Sequence, residues 1–209
     1  MIRKFLSVFA VLTTTGYCEE PAATLEKIEV NHFAKVQPTI EAKAGYFFFA
    51  AETMRDIYNQ GGVDVQLCGA YPVWRGLEVY GSVEYLQKSG HSLSSGQSTS
   101  IWQIPVNVGL KPVITICDGA MWYFTFGPRY FYVHQHNDSS YVPKNKGKSG
   151  CGLFVNTGFN FVIGKHLLLD FFGEYSYAKV HFHTSMPNIY TQGTQISGFT
   201  FGGGLGYAF

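Results

Sequence analysis

The sequence predicts an all-β fold, an eight-stranded antiparallel β-barrel with up-and-down connectivity. Eight segments of alternating polarity follow one another between residues 39 and 209, and side chains on a strand alternate between its two faces. The connections between the segments are alternately short and long, as expected of an even-stranded meander. Hydrophobic residues make up 46% of the 209 residues and charged residues only 14%, which is fewer charges than a soluble protein usually carries.

The N-terminal residues predict export from the cytoplasm. Two basic residues precede an apolar block at residues 5–12, and small polar residues follow it. This is the layout of a cleaved secretory signal peptide, which we assign to residues 1–18; alternatively, Cys18 is a lipid-modified N-terminus. Residues 19–38 are predicted to form a flexible periplasmic extension, and the barrel then covers residues 39–209.

The eight segments show which face of the barrel meets lipid. They lie at approximately 39–50, 63–73, 77–88, 100–116, 120–134, 151–163, 167–182 and 196–209. One parity class of these segments is apolar and contains no charge before Lys179. A charge at the bilayer midplane on a lipid-facing surface costs about 2–4 kcal/mol, so this class is predicted to face lipid. Aromatic residues concentrate at both ends of this face, as at the two interfaces of a membrane barrel.

The opposite parity class collects the charges and is predicted to line the lumen. An eight-stranded barrel is just wide enough for side chains to fill its interior, and buried charges persist only when they are paired. The sequence therefore predicts a salt-bridged plug, with a gated ion path or a channel for hydrophobic solutes as the alternative. The predicted network consists of Glu41, Lys43, Asp64, Glu78, Glu84, Lys111, Arg129, Asp170 and Glu174.

The connections predict which end of the barrel faces outward. The short connections follow segments 2, 4 and 6 and are predicted to be periplasmic turns. The long, polar ones are predicted to be outer loops at about 51–62, 89–99, 135–150 and 184–195. The third loop carries Lys144, Lys146 and Lys148, which are either solvated or contact phosphates of outer-leaflet lipid or an acidic host glycan. Proline donates no ladder hydrogen bond, so bulges are predicted at Pro72, Pro105, Pro112 and Pro128.

The last segment carries a family resemblance. Large apolar residues alternate with small ones up to a terminal aromatic, and the diagnostic positions are Gly204, Leu205, Tyr207 and Phe209. This pattern resembles the assembly signal of Gram-negative outer-membrane β-barrels, and residues 39–209 are similar to the small barrels of the OmpX, OmpA-transmembrane and opacity-protein type. The resemblance implies an outer-membrane location among lipid and lipopolysaccharide. It also implies recognition of the C-terminal strand by the barrel-assembly machinery, a monomeric state and no cofactor.

A second, shorter resemblance concerns catalysis. The order His183-Thr-Ser185 is similar to the start of the motif of lipid A 3-O-deacylases, in which a rim histidine activates a serine nucleophile. That family continues with an asparagine and, about a dozen residues on, an acid; this sequence has Met186 and Ser197. We therefore predict no enzymatic activity, and His183 with Ser185 remain weak candidates. No metal site is predicted, because the neighbouring His181 and His183 lack a third ligand.

The cysteines and the net charge limit the partners. Cys68 is predicted on the lumen side, Cys117 at a periplasmic turn and Cys151 near an outer loop. An intramolecular disulfide needs Cα atoms within about 7 Å, so none is expected. Intermolecular disulfides through Cys117 or Cys151 are a hypothesis, because export permits them. The net charge of +1, without a basic patch interleaved with aromatic residues, argues against nucleic-acid binding.

Function on such a scaffold usually resides in its loops. The sequence therefore predicts an integral outer-membrane barrel with a structural or adhesin-like surface-interaction role. A narrow OmpW-like channel for small or hydrophobic solutes is the alternative, and a lipid A-modifying esterase is the second alternative.

Overall fold

A computed structural model describes residues 37–91, 97–137, 145–181 and 193–209. These residues form nine strands and one helix. In chain order they are β1 Thr39–Phe49, α1 Glu52–Tyr58, β2 Gly61–Trp74, β3 Leu77–His91, β4 Ser98–Cys117, β5 Ala120–Asn137, β6 Asn145–Ile163, β7 Leu167–His181, β8 Gly193–Gln195 and β9 Gly198–Ala208. The signal peptide and most of the 19–38 extension lie outside the described residues, so they remain predictions.

The strands close into a ring. Each strand from β1 to β7 is antiparallel to the next, and β9 pairs with both β7 and β1. The short β8 continues β9 along β7 in one register, from Ser176↔Gly198 to Lys179↔Gln195. Hence β8 and β9 act as one barrel strand, interrupted at residues 196–197. The predicted eight-stranded up-and-down barrel is confirmed.

The ends of the barrel differ in their connections. Two- and three-residue turns join β2 to β3, β4 to β5 and β6 to β7 at one end, which we refer to as the periplasmic end. Each of these turns contains a glycine with positive φ, namely Gly76, Gly119 and Gly164, a conformation that other residues rarely adopt. The other end, with α1 between β1 and β2, is the extracellular end. None of the helices in the described part of the chain has the length and apolar character of a membrane-spanning helix.

All four predicted outer loops differ from the structure in extent or content. In the 89–99 loop β3 continues to His91 and β4 begins at Ser98, and β8 occupies residues 193–195 of the 184–195 loop. Residues 51–62 contain α1, which the sequence did not predict. The 135–150 loop was wrong in extent, because β5 continues to Asn137 and β6 begins at Asn145, with Val133 opposite Lys148. Pairing across this hairpin satisfies backbone groups that a loop would leave to water. Lys146 and Lys148 are therefore strand residues, and Lys144 lies outside the described residues.

The prolines affect the ladders unequally. A register shift lies between Pro72 and Trp74, as predicted. Pro105 interrupts the β3–β4 pairing without changing its register. Pro112 and Pro128 interrupt the β4–β5 pairing in the same way, while the pairing on the other side of each strand continues. The prediction of bulges at Pro105, Pro112 and Pro128 was therefore wrong: a proline can leave out one ladder bond without an extra residue.

The two faces have the predicted polarity. Large apolar side chains are exposed on the outside of every barrel strand. The polar and charged side chains predicted to face the lumen are all buried: Glu41, Lys43, Asp64, Gln66, Glu78, Glu84, Gln103, Asn107, Lys111, Arg129, Asn156, Asn160, Asp170 and Glu174. A soluble barrel has the opposite arrangement. An apolar exterior around a polar interior is the arrangement of a membrane-spanning barrel.

Candidate functional site

Two clusters of buried charges divide the lumen, and the first lies near the periplasmic end. We refer to it as the inner cluster: Glu41, Lys43, Glu78, Lys111 and Asp170. Lys43 Nζ lies 2.6 Å from Asp170 Oδ2 and 3.0 Å from Glu41 Oε2. Lys111 Nζ lies 3.3 Å from Glu41 Oε1 and from Glu78 Oε2. The five side chains thus form a chain of alternating charge in which every carboxylate contacts a lysine.

Glycines of β9 make room for the inner cluster. A Cβ atom on Gly204 would lie 2.7 Å from Lys43 Cγ, and one on Gly206 would lie 2.6 Å from Glu41 Cγ. Tyr123 completes the cluster, because its hydroxyl donates to Asp170 Oδ1 at 3.0 Å. The small residues of the predicted assembly signal therefore also leave space for the charged side chains of the lumen. The sequence pattern did not indicate this role.

The second group, the outer cluster, consists of Asp64, Glu84, Arg129 and Glu174. Arg129 Nη2 lies 2.8 Å from Glu84 Oε2, and its Nη1 lies 2.7 Å from Glu174 Oε1. One guanidinium thereby holds two carboxylates through its planar fork of donors. Asp64 accepts a hydrogen bond from Gln66 Nε2 at 2.8 Å. The predicted network of nine charges is thus divided into two separate groups.

A less polar layer separates the two clusters. On β3, Tyr80 stands between Glu78 of the inner cluster and Glu84 of the outer cluster along the inward row. The Tyr80 hydroxyl donates to Cys68 Sγ at 3.2 Å, and its ring lies 6.0 Å from that of Phe154. Cys68, Tyr80 and Phe154 are all buried. The lumen is therefore a stack of layers, whereas the sequence predicted one continuous polar interior.

An apolar cap closes the extracellular end. It is formed by the buried side chains of Phe47, Phe49, Met54, Tyr58, Leu86, Ile101, Phe131, Val133, Ala178 and Ile196. Helix α1 contributes Met54 and Tyr58 to this cap. Gly90 permits the contact, because a Cβ atom there would lie 2.0 Å from the Ile57 carbonyl oxygen. Burial raises the pKa of the Tyr58 hydroxyl above its usual value, so the apolar surroundings favour the neutral hydroxyl.

A polar groove lies beside α1 on the extracellular rim. Its volume is about 630 Å³, and it is lined by residues from α1, the turn after it and the end of β3. Arg55, Lys88 and His91 line it, together with one acid, Asp56. We refer to it as the rim groove. The sequence did not indicate it, because the basic residues are far apart along the chain and the fold brings them together.

The remaining predicted site residues are dispersed. His183 and Ser185 lie outside the described residues. Lys148 is half-buried in β6, and of the cysteines Cys68 is buried, Cys117 half-buried and Cys151 exposed. Cys151 lies within β6 opposite Tyr130, so its predicted position near a loop was wrong for the same reason as the loop. Within the described ranges, no three His, Cys, Asp or Glu side chains are grouped so as to hold a metal ion.

The C-terminal strand is anchored at the periplasmic end. Leu205, Tyr207 and Phe209 are exposed on the outside of the barrel, as the lipid-facing parity predicts. The imidazole of His166 stacks on Tyr207 with ring centroids 5.2 Å apart. The Phe209 amide donates to the Pro38 carbonyl oxygen at 3.0 Å. These contacts hold the last residues of the chain against both neighbouring strands.

Solved outer-membrane barrels share this architecture. The outer membrane protein OprG from Pseudomonas aeruginosa matches with a TM-score of 0.61 and 15% identity over 85% of this chain and 98% of that one. Outer Membrane Protein W from E. coli matches with a TM-score of 0.55 and 13% identity over 84% of this chain and 100% of that one. Ail, the attachment invasion locus protein of Yersinia pestis, matches with a TM-score of 0.51 and 15% identity over 83% and 99%.

These likenesses define the class of fold. No protein-family model matches the sequence, and no curated protein matches it either. At identities this low the solved structures show the fold, which is that of the eight-stranded outer-membrane β-barrels. The predicted outer-membrane location agrees with this fold and with the apolar exterior.

Proposed function

We propose that this chain is a closed, non-conducting outer-membrane barrel whose role is surface interaction, adhesin-like in kind, through its extracellular rim. One observation carries the proposal: the inner cluster, the layer at Tyr80, the outer cluster and the apolar cap lie one above another across the lumen. A permeation path would have to break ion pairs in which both partners are buried. Unpaired charges in such an interior are costly, so the layers support a shut lumen.

The rim groove is the proposed contact site. Arg55 and Lys88 line it from two different elements, and both side chains donate to phosphate, sulfate or carboxylate groups. The solved barrel Ail has been obtained in complex with the heparin analogue sucrose octasulfate. That polyanion supports an anionic surface group as the ligand class here, either a phosphate of neighbouring lipopolysaccharide or an acidic host glycan.

The proposal also covers the assembly machinery, a possible disulfide partner and the oligomeric state. Leu205, Tyr207 and Phe209 are proposed to be recognised by the barrel-assembly machinery before the strand is inserted. Cys151 is exposed on the outer face, so an intermolecular disulfide there would need a neighbour within the membrane interface. A monomer is proposed. Non-enzymatic structural neighbours fit a role without catalysis.

Conductance tests the closed lumen. Refolded protein in planar bilayers is expected to give no discrete openings, while gel mobility that changes on heating confirms folding. Reproducible single-channel openings of the folded wild-type barrel would replace the proposal with the channel alternative.

Ligand capture tests the rim groove. Refolded barrel is expected to bind immobilised heparin, and Arg55→Ala with Lys88→Ala is expected to weaken that binding several-fold. The matched control is Lys165→Ala, which removes an exposed lysine from the periplasmic turn between β6 and β7. Binding should disappear in high salt, because the Debye length falls to about 3 Å at 1 M. Equal loss in the control variant would show nonspecific charge attraction and contradict a site at the groove.

A further inference from the structure

Asp64 differs from the other carboxylates of the lumen. Asp64 is 2% exposed, and its carboxylate accepts a hydrogen bond from the neutral amide of Gln66 at 2.8 Å. Glu41, Glu78, Glu84, Asp170 and Glu174 each form an ion pair with a lysine or an arginine. Within the ranges that the structure describes, no cationic side chain forms an ion pair with Asp64. A buried carboxylate in this position has no counter-charge of its own.

The outer cluster has fewer positive charges than carboxyl groups. Arg129 is the cation that contacts it, and Glu84 and Glu174 already occupy the guanidinium. Asp64 interacts electrostatically with Glu174 and with Glu84 as well as with Arg129. If all three carboxyl groups were ionised, the cluster would carry two uncompensated negative charges in a water-poor interior. Like charges and burial both disfavour that state.

The cluster also has too few hydrogen-bond donors. The amide nitrogens of Asn107 and Asn156 donate to Glu84 and Glu174. Their carbonyl oxygens are buried and have no hydrogen-bond partner, and the two residues are 0% and 1% exposed. Buried acceptors of this kind are normally satisfied by a donor. The cluster thus has an excess of negative charge and an excess of hydrogen-bond acceptors, and a bound proton reduces both.

We propose that the outer cluster is a buried proton-binding site in which Asp64 carries the proton at neutral pH. A carboxylic acid is neutral and has one O–H donor, so protonation supplies a donor and removes one of the two excess charges. A metal ion would need several oxygens converging around it, whereas a proton needs one acceptor. The proposal concerns the interior of the barrel and is independent of what the rim binds.

The surroundings of Asp64 leave this carboxyl as the group that changes charge. The charged side chains on the inward faces of the two adjacent strands are Lys43 on β1 and Glu84 and Lys88 on β3. Arg129 on β5 and Glu174 on β7 interact with Asp64 from farther around the barrel. Lys43 is held by the inner cluster, and Lys88 lines the rim groove. Glu84 and Glu174 each contact Arg129, which favours their ionised form, whereas Asp64 has no such contact.

The pH dependence of unfolding tests the proposal. Above about pH 4, where an unfolded aspartate is ionised, the folded wild-type protein would hold a proton that the unfolded chain lacks. Its stability must then fall as pH rises, relative to Asp64→Asn, until the folded protein releases the proton. In urea titrations of refolded barrel from about pH 5 to about pH 8, the unfolding constant of the wild type relative to the variant is expected to rise by up to tenfold per pH unit.

The matched control is Asp56→Asn, which changes an exposed acid of α1 and should keep the wild-type pH profile. An Asp64→Asn profile parallel to that of the wild type would overturn the proposal. A stability gap that closes on adding sodium or potassium ions and ignores pH would assign the missing charge to a metal ion, and would also overturn it.

Infrared spectroscopy gives a readout that does not depend on the stability of a variant. Wild-type barrel with isotopically labelled aspartate is expected to show the carbonyl band of a protonated carboxylic acid at neutral pH, and this band should be lost at high pH. Absence of the band at neutral pH in the folded wild type would overturn the proposal even if Asp64→Asn does not fold.

Discussion

The inner and the outer cluster both bury carboxyl groups in the lumen, but they differ in the ratio of cations to acids. In the inner cluster two lysines alternate with three acids, and each acid contacts a lysine. In the outer cluster one arginine holds two acids, and no cation among the described residues forms an ion pair with the third. If the inner cluster loses one lysine, the other lysine still contacts two of its acids. The ion pairs of the outer cluster all involve the guanidinium of Arg129, so loss of this arginine removes all of them. The following changes test that difference, beginning with the largest expected effect.

The outer cluster is expected to be the most sensitive to loss of its cation. Arg129→Ala leaves Glu84 and Glu174 buried without a counter-charge, and breaking a buried pair in this way costs about 3–5 kcal/mol. Urea titration of the refolded barrel measures the change in the free energy of unfolding. Arg55→Ala, an exposed position on α1, is the control and should leave it unchanged. If Arg129→Ala were as stable as the wild type, the arginine would not be what holds the cluster together.

The inner cluster is expected to tolerate loss of one lysine better. After Lys43→Ala, Glu41 keeps Lys111 and Asp170 keeps the hydroxyl of Tyr123. The cost should therefore lie at or below the lower end of the range for a broken buried pair, about 3 kcal/mol. The same titration measures it, with Lys165→Ala as the control. A larger loss than that of Arg129→Ala would reverse the ranking of the two layers.

The space around the inner cluster is tested by adding one methyl group. The Cβ atom of Gly204→Ala would lie 2.7 Å from Lys43 Cγ and 2.8 Å from the Ala42 carbonyl oxygen, and overpacking of this kind costs about 1–3 kcal/mol. The matched control is Gly69→Ala, whose Cβ would meet Thr39 O at 3.7 Å, an ordinary contact. Equal stability of the two variants would show that β9 does not need glycine beside the lysine.

The layer between the clusters should give the smallest effect. Tyr80→Phe removes one hydrogen bond, to Cys68 Sγ, while the ring and its packing on Phe154 remain. A typical buried hydrogen bond contributes about 0.5–1.5 kcal/mol, and a weak sulfur acceptor places this one at the lower end. A loss well above this range in the urea titration would indicate that the hydroxyl serves one of the charged clusters, so that the two clusters are coupled.

Much of this arrangement was predictable from alternation. Period two fixes the face of each residue, so the strands and the burial of all nine network charges followed from the pattern. The partners did not follow. The pairing of the charges depends on how the strands are staggered around the barrel. The alternation of polar and apolar residues carries no information about this stagger. Asp64 and Arg129 therefore could be placed in the lumen, but the unequal division into two clusters could not.

The cap and the rim groove were missed for a different reason. Seven residues of α1 are too few to show a helical period against the background of a polar loop. One signal was present in β1: Phe47, Phe48 and Phe49 are consecutive aromatics, so both faces of the strand end are apolar. Such a strand end indicates a lumen that is closed by hydrophobic packing. The basic residues of the groove gave no signal, because they are close only in the folded protein.

The seam between β1 and β9 has a consequence for how the barrel forms. It pairs Thr39 with Ala208, residues from opposite ends of the folded chain, whereas the other seams join strands that are consecutive or nearly so. Contacts between such distant residues carry the largest loop-closure cost and slow the folding rate. Until that seam closes, both strands present open edges on which another chain can add. Closure of this one seam is therefore expected to be the slow step of folding, and the interval before it is when the nascent barrel is most exposed to aggregation.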